Sequence, residues 1–224
     1  SGGLQRKGTT ELSDYAGMEG ISGVIVRACL RLSPLKKRTA TLVKFESFDE
    51  VVLAVRSLKR NSAVSMIEFF GRRVSAVLEL GEEYHLIVEY EDGSGVMGGK
   101  EYDELMALRE TIGPVLSGEG YSYLEDPKVL LDRSDKLIKW LEERGVPVFG
   151  HIGVGIFHPR FNEEQKKFIP EMVKLVKRLG GSVSGEHGIG ILKREFVDAN
   201  DKKILVNVKK RTDPLNKFNV NKVI

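Results

Sequence analysis

Two short glycine-rich segments carry most of the residues in this chain that could do chemistry. The run Gly180-Gly-Ser-Val-Ser-Gly-Glu-His-Gly-Ile-Gly190 sets five glycines around an adjacent acid and base, Glu186 and His187. The run Gly150-His-Ile-Gly-Val-Gly-Ile-Phe-His-Pro159 carries His151 and His158, so three of the four histidines lie in these two segments. Two histidines six residues apart on a strand-like run point the same way only if the run turns, and Gly153 and Gly155 permit a turn. Glu186 would then complete a two-histidine, one-carboxylate set for divalent Zn, Mn or Fe, with positions left open for a substrate oxygen. In an extended backbone His187 points away from Glu186, which suits a general base. Its unperturbed pKa is about 6.5, so it can take a proton near neutrality. The alternative is a pair of glycine-rich turns with incidental histidines, because the spacing lacks the specificity of a zinc motif such as H-E-x-x-H.

Strands and helices must deliver these segments. Gly17, Gly20 and Gly23 precede a predicted strand with Val24, Val26, Ala28 and Leu30 on one face. Glycines at that spacing let backbone amides approach a ligand closely, or they form a plain turn. Further strands are predicted over 39–47, 63–69 and 84–90, the last with His85 as a surface or sheet residue. Ser47 and Asp49 are capping candidates for a helix over 48–60. A helix over 100–116 would bury Leu105, Leu108, Ile112 and Val115 and carries Arg109, a residue more often solvated or paired than functional. Pro127 suits the first turn of a helix running to 144, ended by Gly145. Asn162 would cap a helix over 163–178, and a last helix covers 199–211. There is no GxGxxG fingerprint and no phosphate loop. The alternation of elements predicts an α+β fold with an antiparallel sheet.

Composition narrows the function. The 224 residues are 41% hydrophobic and 30% charged, yet the net charge is only +3, too small to argue for nucleic acid. Cys29 is the only cysteine, which excludes an internal disulfide and a thiolate metal cluster. No apolar run approaches the roughly 18 residues needed to cross a bilayer. A cytoplasmic setting is expected, with any membrane contact peripheral.

The motifs resemble the C-terminal part of FAD-linked oxidases of the vanillyl-alcohol-oxidase type. The nearest group comprises the flavin-linked glycolate oxidase, D-lactate dehydrogenase and D-2-hydroxyglutarate dehydrogenase. GHIGVGIFHP at 150–159 is similar to that family's G-H-x-G-D-G-N-L-H-P. GGSVSGEHGIGILKR at 180–194 is a nearly complete match to G-G-x-x-S-G-E-H-G-I-G-x-x-K-R. GMEGISGVIV at 17–26 resembles G-S-E-G-T-L-G-I-I-T, and DPLNKFNVNK at 213–222 resembles D-P-x-x-x-x-N-P-G-K.

The resemblance implies a ferredoxin-like antiparallel sheet with helices packed on one side, plus an N-terminal remnant of the FAD-binding domain. Residues 1–34 would end that domain, 35–204 would be the cap and substrate domain, and 205–224 would return towards the flavin. It implies a small 2-hydroxy acid as substrate, with hydride transfer to FAD. His151, His158 and Glu186 would hold the metal, His187 would be the base, and Arg109, in MALRETIG, would hold the substrate carboxylate. Gly17, Glu19, Gly20, Gly23, Val24 and Asn219 would face the cofactor. Electrons would pass to an iron–sulfur subunit, an electron-transferring flavoprotein or quinone. Val154 and Ile156 depart from the family's aspartate and asparagine, and Leu124 stands where some members have a lysine that contacts substrate. These departures imply a different substrate, or a non-catalytic subunit of the same fold. The family's flavin domain is mostly absent from the sequence, so FAD would be held mainly elsewhere. The chain is then expected to be a fragment or a stand-alone cap homologue.

Overall fold

The structure of the chain is a computed structural model that describes residues 6–224; the opening Ser1-Gly2-Gly3 lies outside the described residues. The chain divides into two compact units, Pro34–Glu186 and a second joining the segment up to Ser33 with His187–Ile224.

The first unit is built on an antiparallel six-stranded sheet. Its strands are β1 (Thr39–Phe45), β2 (Val64–Phe70), β3 (Tyr84–Tyr90), β4 (Tyr123–Leu124), β5 (Val148–His151) and β6 (Ile156–Phe161), in the order β1-β3-β2-β5-β6-β4. The α+β class read from the sequence is the one the chain adopts. Neighbouring residues of a strand face opposite sides, so Phe69 and Phe70 of β2 need two separate cores. Phe70 packs with Val74 of α2 (Arg72–Val77) and with Leu105, Ile112 and Leu116 of α3 (Lys100–Gly118). Phe69 meets Phe48 of α1 (Phe48–Leu58), Tyr84 and Phe157. The expected helix layer on one side is thus joined by α1 on the other.

Local chemistry explains most element ends. Ser47 caps α1 reciprocally: its hydroxyl accepts from the Glu50 N–H at 3.3 Å, and the Glu50 carboxylate accepts from the Ser47 N–H at 3.1 Å. Gly145 follows α4 (Ser134–Glu142) at φ +63°. The Asn162 side chain accepts from the Gln165 N–H at 2.9 Å in a turn leading to α5 (Ile169–Arg178).

Three expectations are corrected. No strand forms over 24–30, because no described segment pairs with it; Val24, Val26 and Leu30 stay exposed. In α3 the innermost C-terminal residue is Leu116, while Val115 is exposed. Pro127 does not start a helix, because the backbone there is recruited by its neighbours. The Phe157 N–H donates to the Pro127 carbonyl, the Val129 N–H to Gly155, and Lys128 exchanges hydrogen bonds with Ser182. The residue before a proline also disfavours the helical region. Helix α4 therefore begins at Ser134.

The second unit contains α6 (Ala199–Thr212) and the C-terminal loop. Asp213 organises that loop: it takes the Lys209 ammonium at 2.6 Å and the N–H groups of Lys217 and Phe218 at 3.0 and 2.8 Å. Burial alone would raise its pKa, but these donors outweigh burial and lower it to about 2. A carboxylate depressed in the folded state stabilises above its unfolded pKa of about 3.9 and loses that contribution as pH falls. Asp213→Asn should therefore destabilise the protein at pH 7. The gap from wild type in denaturant midpoints should hold above about pH 5 and close towards pH 2.

Candidate metal centre

The β5–β6 hairpin brings the two histidines of the first motif together. Phe149 pairs with His158 and His151 with Ile156, so both histidines project from one face of the sheet. Two glycines make the hairpin possible. A Cβ at Gly150 would lie 2.4 Å from the Ile156 carbonyl, and Gly155, at φ +76°, would put one 2.5 Å from the Val129 carbonyl. The imidazole rings stand edge to face with centroids 5.1 Å apart, and His158 is buried against Phe149.

Glu186 reaches this face from the loop after α5. Its Oε1 lies 2.9 Å from His158 Nε2 and 3.4 Å from His151 Nε2. The ligand atoms of the three residues lie within 4.8 Å of one another. Asp126, fully buried, holds the loop in place. It accepts from the Ser184 hydroxyl at 3.0 Å and from the N–H groups of Gly185 and Glu186 at 3.0 and 2.8 Å. Tetrahedral ligands at bond lengths near 2.1 Å stand about 3.4 Å apart. Two nitrogens and one oxygen at these separations match a divalent metal with N2O ligation without rearranging the backbone.

Behind His151 stands Glu68 of β2, a buried carboxylate that no sequence motif singles out. Its Oε1 is 2.7 Å from His151 Nδ1, and its Oε2 is 3.3 Å from Arg109 Nε on α3. The hydrogen bond to Glu68 raises the His151 pKa; burial opposes it, and the charges of Glu68 and Glu186 add to the rise. The only hint of Glu68 in the sequence was an acid inside the apolar run Ile67-Glu-Phe-Phe70. Asp126, before Pro127, gave no hint beyond a turn. Arg109 also pairs with Glu110 at 2.5 Å, so its guanidinium sits between two carboxylates. His85 is a buried sheet residue bound to the Ser75 hydroxyl at 3.0 Å, and burial lowers its pKa.

His187 follows Glu186 directly and is the first residue of the second unit's C-terminal part. Within that unit, Glu19 draws in the motif's end: its carboxylate accepts from the N–H groups of Ile189 and Gly190 at 2.7 and 2.8 Å. Asn219 donates from its side chain to the Glu19 carbonyl. Gly17, Glu19, Gly20 and Asn219 all adopt positive φ, and Val24 is exposed. Of the residues expected to face a cofactor, Glu19 and Asn219 thus direct polar groups inward. The glycines and Val24 form an open wall rather than an enclosed site.

An antiparallel α+β sheet with a His–His–Glu cluster on one face fits the substrate half of a flavin-linked oxidase. The family described as FAD linked oxidases, C-terminal domain, matches residues 96–223, and the chain belongs to it. It is 25% identical to a D-lactate dehydrogenase from Archaeoglobus fulgidus, over 93% of the chain and 56% of that protein. It is 22% identical to glycolate oxidase subunit GlcD from Bacillus subtilis, with the same coverage. A stretch of 46% of the chain is 32% identical to 22% of the mitochondrial D-2-hydroxyglutarate dehydrogenase from Bos taurus. The chain spans about half the length of the first two relatives.

Asp126→Ala would leave buried donors of the Glu186 loop without their acceptor, at roughly 1–3 kcal/mol for each one left unmade. Chemical denaturation should show the loss. Zinc titration should show weaker binding, because Glu186 would no longer be held beside the histidines.

Proposed function

We propose that the chain is the substrate-binding part of an FAD-dependent oxidoreductase that oxidises a glycolate- or D-lactate-like 2-hydroxy acid by hydride transfer. The convergence of His151, His158 and Glu186 on one sheet face, in a chain of this family, carries the reading. We assign residues 1–34 to the end of the FAD-binding domain, 35–204 to the cap and 205–224 to the segment returning towards the flavin. FAD, held mainly by the rest of the whole protein, would receive the hydride. Gly17, Glu19, Gly20, Gly23, Val24 and Asn219 would supply one wall of its site.

His151, His158 and Glu186 would hold a divalent ion such as Zn or Mn, whose Lewis acidity makes a bound hydroxyl more acidic. Arg109 would hold the substrate carboxylate through its planar fork, sharing its charge with Glu68 and Glu110. His187 would take the hydroxyl proton at a ring nitrogen as the Cα–H bond breaks, and release it to water afterwards. The setting is cytoplasmic or peripheral to a membrane, consistent with no described helix being long and apolar enough to cross one. The acceptor would be an iron–sulfur subunit, an electron-transferring flavoprotein or quinone.

A second reading has its own support. Val154, 58% exposed in the hairpin turn, and Ile156, paired with His151, are apolar where the family pattern has polar residues. They favour a non-catalytic subunit of the same fold, which predicts no stoichiometric metal.

Metal analysis of the purified chain should find about one divalent ion, lost in His151→Ala and in His158→Ala; a metal-free wild type would favour the second reading. In the full-length flavoprotein, His187→Gln should lower kcat about 10²- to 10⁴-fold while leaving the flavin spectrum unchanged. Unchanged turnover would remove His187 as the base.

A further inference from the structure

Glu68 has no role in the reading above, yet its placement is the least expected on this face of the sheet. It lies at the centre of β2 between Ile67 and Phe69 and is 3% exposed. A buried carboxylate is costly unless its oxygens find cationic or hydrogen-bonding partners. Both do. Oε1 meets His151 Nδ1 at 2.7 Å, and Oε2 meets Arg109 Nε at 3.3 Å.

Strand register fixes this arrangement. In the β2–β5 pairing Phe69 lies opposite Gly150, so one step along Glu68 falls beside His151 on the face covered by α3. An ionised carboxylate only accepts hydrogen bonds. The ring nitrogen facing it must therefore carry the proton, which leaves the Nε2 lone pair of a neutral His151 aimed away. That Nε2 is the atom 3.4 Å from Glu186 Oε1, on the side where His158 Nε2 also arrives.

We propose that Glu68 is a positioning residue: one oxygen sets His151 as the Nδ1–H tautomer with Nε2 directed into the site, and the other anchors Arg109. Resting on the metal reading given above, this links the ion's ligand and the substrate's arginine through one buried carboxylate. Partners of this kind raise metal affinity by orienting the ligand ring. Glu68→Gln keeps the shape but loses the charge. If its amide oxygen faces His151, its NH₂ group opposes the Arg109 guanidinium. If it flips, the NH₂ group donates to Nδ1 and moves the ring proton to Nε2, where it blocks the ligand position.

The test is zinc titration by calorimetry of the 224-residue chain as wild type, Glu68→Gln and His151→Ala, with ¹⁵N–¹H spectra of the histidine rings. The expected result is zinc binding about tenfold to a hundredfold weaker in Glu68→Gln than in wild type, with circular dichroism unchanged. The His151 ring should be Nδ1–H in wild type and should shift towards Nε2–H in metal-free Glu68→Gln. Affinity within twofold of wild type together with an unchanged tautomer overturns the role of Glu68 and leaves the metal reading standing. Zinc uptake by wild type no better than by His151→Ala overturns the metal reading and this proposal together. Should Glu68→Gln fail to fold, Glu68→Asp, whose carboxylate is drawn back by one methylene, takes its place with the same readouts and the same deciding outcomes.

Discussion

Pairing of Phe149 with His158 and of His151 with Ile156 is the constraint from which the rest of the site follows. A strand's side chains alternate between faces, so a slip of one residue in either strand would carry a histidine to the opposite side. The register is held from several directions. Gly150 admits the close approach of β6, and Gly155 admits the Val129 carbonyl. Phe157, between the two histidine-bearing positions, points the other way into the aromatic cluster with Phe69. The core on one face therefore locks the chemistry on the other.

Buried carboxylates do the finer placing. Asp126 gathers the backbone N–H groups at 185 and 186 and so aims the Glu186 side chain. Glu68 sits behind His151 and Arg109. Glu19 plays a comparable part in the second unit, collecting the N–H groups of Ile189 and Gly190 just after His187. Each is an acid near a glycine-rich segment, where the chain has few side chains of its own to restrain it. A charged hydrogen bond to a backbone N–H supplies that restraint more strongly than a neutral one.

Arg109 illustrates how one residue can serve two demands. Its position on α3 is set by Leu105 and Ile112, which face the core with Phe70 and Ile87. Its guanidinium is then delivered to Glu68 at the sheet surface. The arginine neutralises a charge that the sheet has buried, and its remaining donors lie where an anionic substrate would need them under the proposed function. The apolar Val154 and Ile156 alter the site's surroundings but not the ligand atoms, which come from other positions.

The sequence by itself determined the ingredients. Three of the four histidines and Glu186 were singled out by their glycine-rich settings, and the strands at 39–45, 64–70 and 84–90 were legible because their apolar alternation is local. Caps at Ser47 and the stop at Gly145 were legible for the same reason: the hydrogen-bonding partners lie within a few residues. Contacts distant in sequence were not legible. Asp126 binds a loop some sixty residues away, and Glu68 meets His151 eighty-three residues on. Pro127 carried a helix-start signal that was overruled when β6 and the loop at 182 took its neighbours' hydrogen bonds. Only the tertiary structure decided that His151, His158 and Glu186 share one point, because their meeting depends on a strand register and a buried acid that no local pattern encodes.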